Sequence, residues 1–171
     1  VSISSAEILD VVNERDEVVG KATRGDIHAK QLWHRAVHIL VFDASSNIYV
    51  QKRSLSKDCS PGLWDTSAAG HVDSAETYLN AAQRELNEEL SLPYDTVLKE
   101  VAKLDAKSTT GFEFVRVYRC ETTQEPVPDP IEISDGRWID VSSLTHWISD
   151  RPQDFTSTFR QICSMQSIWQ N

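Results

Sequence analysis

Glu85, Glu88 and Glu89 place three carboxylates in one short stretch, Arg84-Glu85-Leu86-Asn87-Glu88-Glu89-Leu90, with Arg84 as the only cation among them. On a helix advancing about 100° per residue the three fall within an arc of roughly 100°, so their charges converge. Like charges three and four residues apart cost a helix roughly 0.2–0.5 kcal/mol per pair. Arg84 relieves part of this by pairing with Glu88 or by reaching back toward Glu76. A divalent cation relieves the rest, and an all-oxygen ligand set suits Mg²⁺ or Mn²⁺. Taken alone, the same cluster also fits an ordinary solvated helix face.

The element that must carry these carboxylates is a helix. Asp73 followed by Glu76 reads as a capping box and predicts a start near Ser74. Ala75, Leu79, Ala82, Leu86 and Leu90 recur at steps of three and four, which predicts an apolar stripe facing a core beside the acidic arc. The segment from Gly70 to Asp73 reads as the loop feeding it.

With its flanks the stretch becomes Gly70-x5-Glu76-x7-Arg84-Glu85-Leu86-x-Glu88-Glu89-x-x-Leu92, which resembles the signature of the Nudix hydrolases at every position but one. Six such identities and two apolar positions coincide by chance on the order of once in 10⁸ windows, given average residue usage. The departure is Ser91, where the family has a glycine just past the helix. Serine adopts the left-handed backbone found there at a cost of about 1 kcal/mol, which predicts a tighter or reshaped helix end. The resemblance implies an α/β/α sandwich with a mixed β-sheet and a Mg²⁺ (or Mn²⁺) site on Glu85, Glu88, Glu89 and the Gly70 carbonyl. It also implies that Glu76 and Arg84 hold the loop onto the helix, and that the reaction cleaves a diphosphate linkage in a small organic or nucleoside diphosphate. Some relatives take their general base from a loop before a late Arg-Trp strand. Glu132, ahead of Arg137-Trp138, is the first choice here, with Glu85 and Glu88 as alternatives.

The resemblance extends to Trp33-His34-Arg35-Ala36, to Val50-Gln51-Lys52-Arg53 and to the segment from Pro61 to His71, which look like the branch containing isopentenyl diphosphate isomerase and its hydrolase relatives. This branch carries an N-terminal extension, here residues 1–33, and isomerases hold a metal through histidines and glutamates. His34, His71 and Glu113 match those positions as a second metal site, and His28 is close but offset. The isomerase cysteine that moves protons is replaced by Ala69, and alanine neither donates nor accepts a proton. Hydrolysis is therefore preferred. Isomerisation and a catalytically silent metabolite-binding domain remain the alternatives, and His34 and His71 also fit simple structural histidines.

The remaining residues suit one domain over 1–171. The chain has 171 residues, is 40% hydrophobic and carries six prolines, without a linker, a repeat or an apolar run long enough for a membrane span. Nothing in Val1-Ser2-Ile3-Ser4 resembles a signal leader, so a soluble cytoplasmic protein is expected. Cys59, Cys120 and Cys163 lack CxxC spacing and read as free thiols. Hairpins are expected over Ala6–Val12 with Glu17–Gly20 and over Val37–Asp43 with Ile48–Arg53. Strands follow at Glu113–Cys120 and Gly136–Asp140, then helices over Val141–Asp150 and 152–171. A net charge of -9 argues against a nucleic-acid surface. Arg35, Lys52, Arg53 and Arg116 are the candidate basic wall for an anionic substrate, and Trp64, Phe112 and Phe114 candidate stacking residues, although packing suits each of these aromatics better. A monomer or homodimer is expected, with the apolar C-terminal helix as the dimer candidate.

Overall fold

The computed structural model describes residues 7–169. The ends of the 1–33 extension and of the 152–171 segment, including Val1 to Ala6, lie outside those residues. β1 (Ile8–Val12) and β2 (Val18–Thr23) form an antiparallel hairpin, and a short helix, α1 (Arg24–Lys30), follows. The main sheet is built on β3 (His34–Phe42), whose run from Val37 to Phe42 is wholly buried and apolar but for His38. Such a run suits a strand covered on both faces. Val37, Ile39 and Val41 pack with the later helix that carries the glutamates. Ala36, Leu40 and Phe42 point the other way, into a cluster with Leu144, Phe155, Phe159 and Ile162.

Along β3 run β6 (Ala68–His71), antiparallel, and β8 (Glu113–Glu121), parallel, with β7 (Lys99–Leu104) outside β8. β4 (Ile48–Arg53) pairs with β5 (Trp64–Asp65) and β9 (Ile133–Ile139) but meets β3 only at Phe42 and Ile48. β3 and β4 therefore diverge from their shared end, and the space between them is where the site lies. α2 (Tyr78–Leu90) covers one face of the sheet, while α3 (Val141–Asp150) and α4 (Ser157–Cys163) cover the other. This is a mixed α+β sandwich. No helix among the described residues is long and apolar enough to cross a membrane.

Three local expectations are corrected. α2 starts at Tyr78 with Thr77 as its cap, not near Ser74. Ala75 has φ 68°, which a right-handed helix does not accommodate, and Glu76 accepts from the Asp73 N–H to close a turn instead. The apolar stripe consequently begins at Ala81 and Ala82, leaving Ala75 and Leu79 exposed. Within 152–171 the chain forms α4 flanked by short 3₁₀ turns at Pro152–Asp154 and Gln166–Trp169. Phe155 interrupts it by lying extended beside Trp64, and Thr156 then caps α4. Phe159, Ile162 and Ile168 are fully buried within this chain, so that apolar face is already covered. Ser91 takes the left-handed conformation, φ 55°, just as a glycine would, so the helix end keeps its ordinary shape. The three cysteines are free.

Candidate active site

The acidic end of the site depends on how closely α2 approaches β6. A Cβ on Gly70 would lie 2.1 Å from the Glu85 carboxyl carbon, so only glycine leaves room for that carboxylate. Glu89 is 4% exposed, and one of its oxygens accepts from Gln51 Nε2 at 2.9 Å and from the Ala69 N–H at 3.1 Å. Glu85 is partly buried and Glu88 exposed. Arg84 stands at the centre of the loop–helix joint. It donates to both Glu76 oxygens at 3.1 and 2.9 Å, to the His71 carbonyl at 3.0 Å, to Glu85 at 2.6 Å and to Glu88 at 3.2 Å. Burial pushes the Glu85 carboxyl up despite Arg84 beside it, and burial followed by the Glu85 charge pushes Glu89 up. Converging carboxylates that are costly to ionise, with their one near cation already shared, are a donor set that fits a hard divalent ion.

A second polar cluster sits beside this helix. The parallel register sets His34 opposite Glu113, and the antiparallel register sets His71 opposite Ala36. His34 Nε2 and His71 Nε2 lie 3.5 and 3.4 Å from Glu113 Oε1, and His71 Nδ1 lies 3.4 Å from Glu7 Oε1. His28 of α1 completes a group whose three imidazole ligand atoms fall within 4.8 Å of one another. His34 Nδ1 is 2.9 Å from the Leu32 carbonyl, which only accepts, so that nitrogen carries the proton in the neutral ring. Its buried Nε2 then has no hydrogen-bond partner, and neither does His28 Nε2. Two orphaned, buried imidazole nitrogens beside a carboxylate fit a metal ion. Without one, burial lowers the His71 pKa, but Glu113 and Glu7 outweigh it and raise the ring to about 9. Burial likewise pushes Glu113 up, and the His34 and His71 rings more than reverse this, holding it well below the usual carboxylate range.

Both clusters open into one cavity of about 1400 Å³. Arg24, Arg53 and Lys57 also line it. Arg53 lies 3.6 Å from Asp65, Arg24 donates to Asp58 at 2.8 Å, and Lys57 is ion-paired with Glu132 in the turn before β9. That turn is tied to the end of α2, because the Val127 and Asp129 N–H groups donate to the Leu90 and Glu89 carbonyls at 2.9 Å.

The structure thus brings Gly70, Glu85, Glu88, Glu89, Glu132, His71, Glu113 and Arg53 onto one cavity, with His34 buried behind it. The rest of the expected basic wall is elsewhere, for a reason of strand alternation. Lys52 points away from the side shared by Gln51 and Arg53, and lies over the buried Trp64 ring at 6.0 Å. Trp64 packs against Trp147 and is core, not a stacking platform. Arg35 and Arg116 flank the Tyr78 ring at 5.4 and 5.0 Å and pair with Asp16, which fastens the N-terminal hairpin to the start of α2. Neither Phe112 nor Phe114 lines the cavity. Sequence reasoning missed Glu7, Arg24 and Lys57 altogether and set His28 aside as offset. α1 turns His28 back onto the sheet, a fold no local pattern announced.

A family model described as the NUDIX domain matches residues 32–159. The chain is 34% identical over 161 residues to isopentenyl-diphosphate Delta-isomerase 2 of Photorhabdus laumondii, spanning 91% of this chain and 90% of that one. It is 36% identical over 141 residues to a Nudix hydrolase of Deinococcus radiodurans, spanning 82% of each. The crystal structure of DR0079 from Deinococcus radiodurans superposes with a TM-score of 0.76 at 35% identity, covering 84% of this chain and 90% of that one. With the glutamate helix, its Gly70 loop and the mixed sheet all in place, the chain belongs to the Nudix hydrolases, enzymes that act on diphosphate bonds.

Proposed function

We propose that the chain is a Mg²⁺-dependent hydrolase that splits the diphosphate linkage of a small organic or nucleoside diphosphate, with Mn²⁺ able to replace Mg²⁺. The observation that carries this reading is the convergence of Glu85, Glu88 and Glu89 on the cavity, two of them pushed toward neutrality by burial. Glu85, Glu88, Glu89 and the Gly70 carbonyl would hold the ion, which supplies charge neutralisation at the phosphate and a more acidic water. Gln51 and the Ala69 N–H fix one Glu89 oxygen and so orient the other. Arg53, Lys57 and Arg24 line the same cavity and attract the anion. As water oxygen bonds to phosphorus and the bridging P–O bond breaks, Glu132 takes the water proton. Its pairing with Lys57 couples the two roles, since an incoming phosphate competes for Lys57 and frees the carboxylate. Free thiols and an internally covered C-terminal segment fit a cytoplasmic monomer.

The test is Glu88→Gln, an exposed residue whose side chain pairs with Arg84. Assayed in Mg²⁺ across a diphosphate panel, the variant is expected to lose turnover on the order of 10²-fold, the upper range for disturbing a metal site's support. Equal turnover by both proteins overturns the assignment.

The histidine cluster favours a second reading, an isomerase-like enzyme holding a metal on His28, His34, His71 and Glu113. Against it stands Ala69, whose methyl group moves no proton. Absence of deuterium uptake into isopentenyl diphosphate in D₂O removes this reading.

A further inference from the structure

The β3 wall of the cavity has a chemistry of its own. His38 of β3 lies on the lining and is 5% exposed. Its Nδ1 is 2.8 Å from Thr66 Oγ1, which is in turn 3.2 Å from the Ala68 carbonyl oxygen. A carbonyl only accepts, so the Thr66 hydroxyl proton goes to Ala68, and Thr66 accepts from the His38 Nδ1–H. Asp65 Oδ1, 3.7 Å from the same nitrogen, favours that tautomer. Nε2 is then a lone-pair acceptor, and it has no hydrogen-bond partner among the described residues. Burial disfavours a charged ring and keeps it in this form.

The neighbouring walls are also polar. The Ser108 and Thr158 hydroxyls line the cavity and make no hydrogen bond among the described residues. Among the described residues no phenylalanine, tyrosine or tryptophan lines it, and Ile131 is its single large aliphatic residue. A prenyl chain would find little apolar wall and would strand the His38 lone pair, and a nucleobase would find no phenylalanine, tyrosine or tryptophan face to stack on.

We infer that His38 Nε2, with Ser108 and Thr158, forms a subsite for a hydroxyl-bearing, non-aromatic head group, such as a sugar or polyol, attached to the diphosphate. The assignment rests on the diphosphate reading above for the other end of the same ligand. A hydroxyl donating to Nε2 fills the one vacancy that an apolar head group leaves open, and sites built around such a bond reject analogues lacking it by far more than tenfold.

The experiment is calorimetric titration of the full chain in Ca²⁺ with ribose 5-diphosphate, dimethylallyl diphosphate and methyl diphosphate. The wild type is expected to bind the ribose compound at least about tenfold more tightly than the dimethylallyl one. His38→Asn keeps a donor toward Thr66 but removes the acceptor, and should erase that preference. His38→Gln, whose amide oxygen reaches toward the Nε2 position, should retain it, and methyl diphosphate should bind all three proteins alike. Thr158→Val, at a half-buried site, repeats the comparison should His38→Asn not fold. Equal binding of the ribose and dimethylallyl compounds, or equal weakening of methyl diphosphate by His38→Asn, overturns the subsite. Failure of Mg²⁺ turnover with the ribose preference intact refutes only the hydrolase reading.

Discussion

Replacing Glu89 by glutamine should stabilise the metal-free protein at alkaline pH, although Glu89 is buried and doubly hydrogen-bonded. The glutamine oxygen still accepts from Gln51 and from the Ala69 N–H, while the charge beside Glu85 disappears. Both carboxyls have folded pKa values above the usual 4.5 because burial opposes ionisation. Their protonated forms therefore leave stability intact below pH 4.5, and stability is lost as pH rises through the folded values. Each unit of upward displacement costs about 1.4 kcal/mol once the group is ionised, so the rise of Glu89 from 4.5 to about 8 corresponds to about 5 kcal/mol, and Glu89→Gln should gain on that order at pH 9. For a chain of 171 residues that is a Tm increase of about 10–20 °C. At pH 4 the two proteins should melt together. Saturating Mg²⁺ should narrow the gap, since an ion at 100 times its Kd stabilises wild type by about 2.7 kcal/mol and the variant has lost a ligand. Calorimetric melting at both pH values, with and without Mg²⁺, reads all of this. A lower Tm for metal-free Glu89→Gln at pH 9, or an equal Mg²⁺ shift in both proteins, refutes the reasoning.

Gly70→Ala places a methyl against the Glu85 carboxyl, the flexible end of that side chain, which must swing aside; differential scanning should show a loss of about 0.5–1.5 kcal/mol for the displaced rotamer, and Mg²⁺ titration should show weaker binding. Ser91→Gly relieves the left-handed strain at the end of α2 and should raise Tm by about 2–4 °C, for roughly 1 kcal/mol, with turnover unchanged. In metal-free protein the elevated His71 pKa contributes stability that is full below pH 6.5 and lost between 6.5 and about 9. Glu113→Gln should return the His71 titration, followed by NMR, toward 6.5 and cost about 3–5 kcal/mol at pH 6 in urea unfolding, the range for breaking a buried pair.

What could be read without the fold was whatever local spacing dictates. The glutamate helix, the Glu76–Arg84 pairing and the β-rich runs of β3 and β4 follow from the helical period, from near-neighbour charge and from β-branched composition, whereas Gly70 and His71, expected in a loop, lie in β6. The errors also arose locally. A capping pair at Asp73 and Glu76 looks the same whether it opens a helix or closes a turn, and the left-handed Ala75 that decides between them carries no signature in its side chain.

Which residues share the cavity was decided by strand register and by loop return, neither of which is local. Alternation alone shows that Lys52 and Arg53 face opposite ways, but only the pairing of β4 with β5 and β9 says which of them faces the cavity. The approach of His28, His34, His71 and Glu113 needs α1, β3, β6 and β8 to converge from positions far apart in the chain, and Lys57 finds Glu132 only because two loops meet. The sequence by itself made a phosphate chemistry with a divalent metal the expectation, because like charges at helical spacing call for a cation and the pattern around them resembles the Nudix signature. The tertiary structure alone decided what else faces those carboxylates, because register and loop closure set long-range neighbours through the packing of the whole sheet.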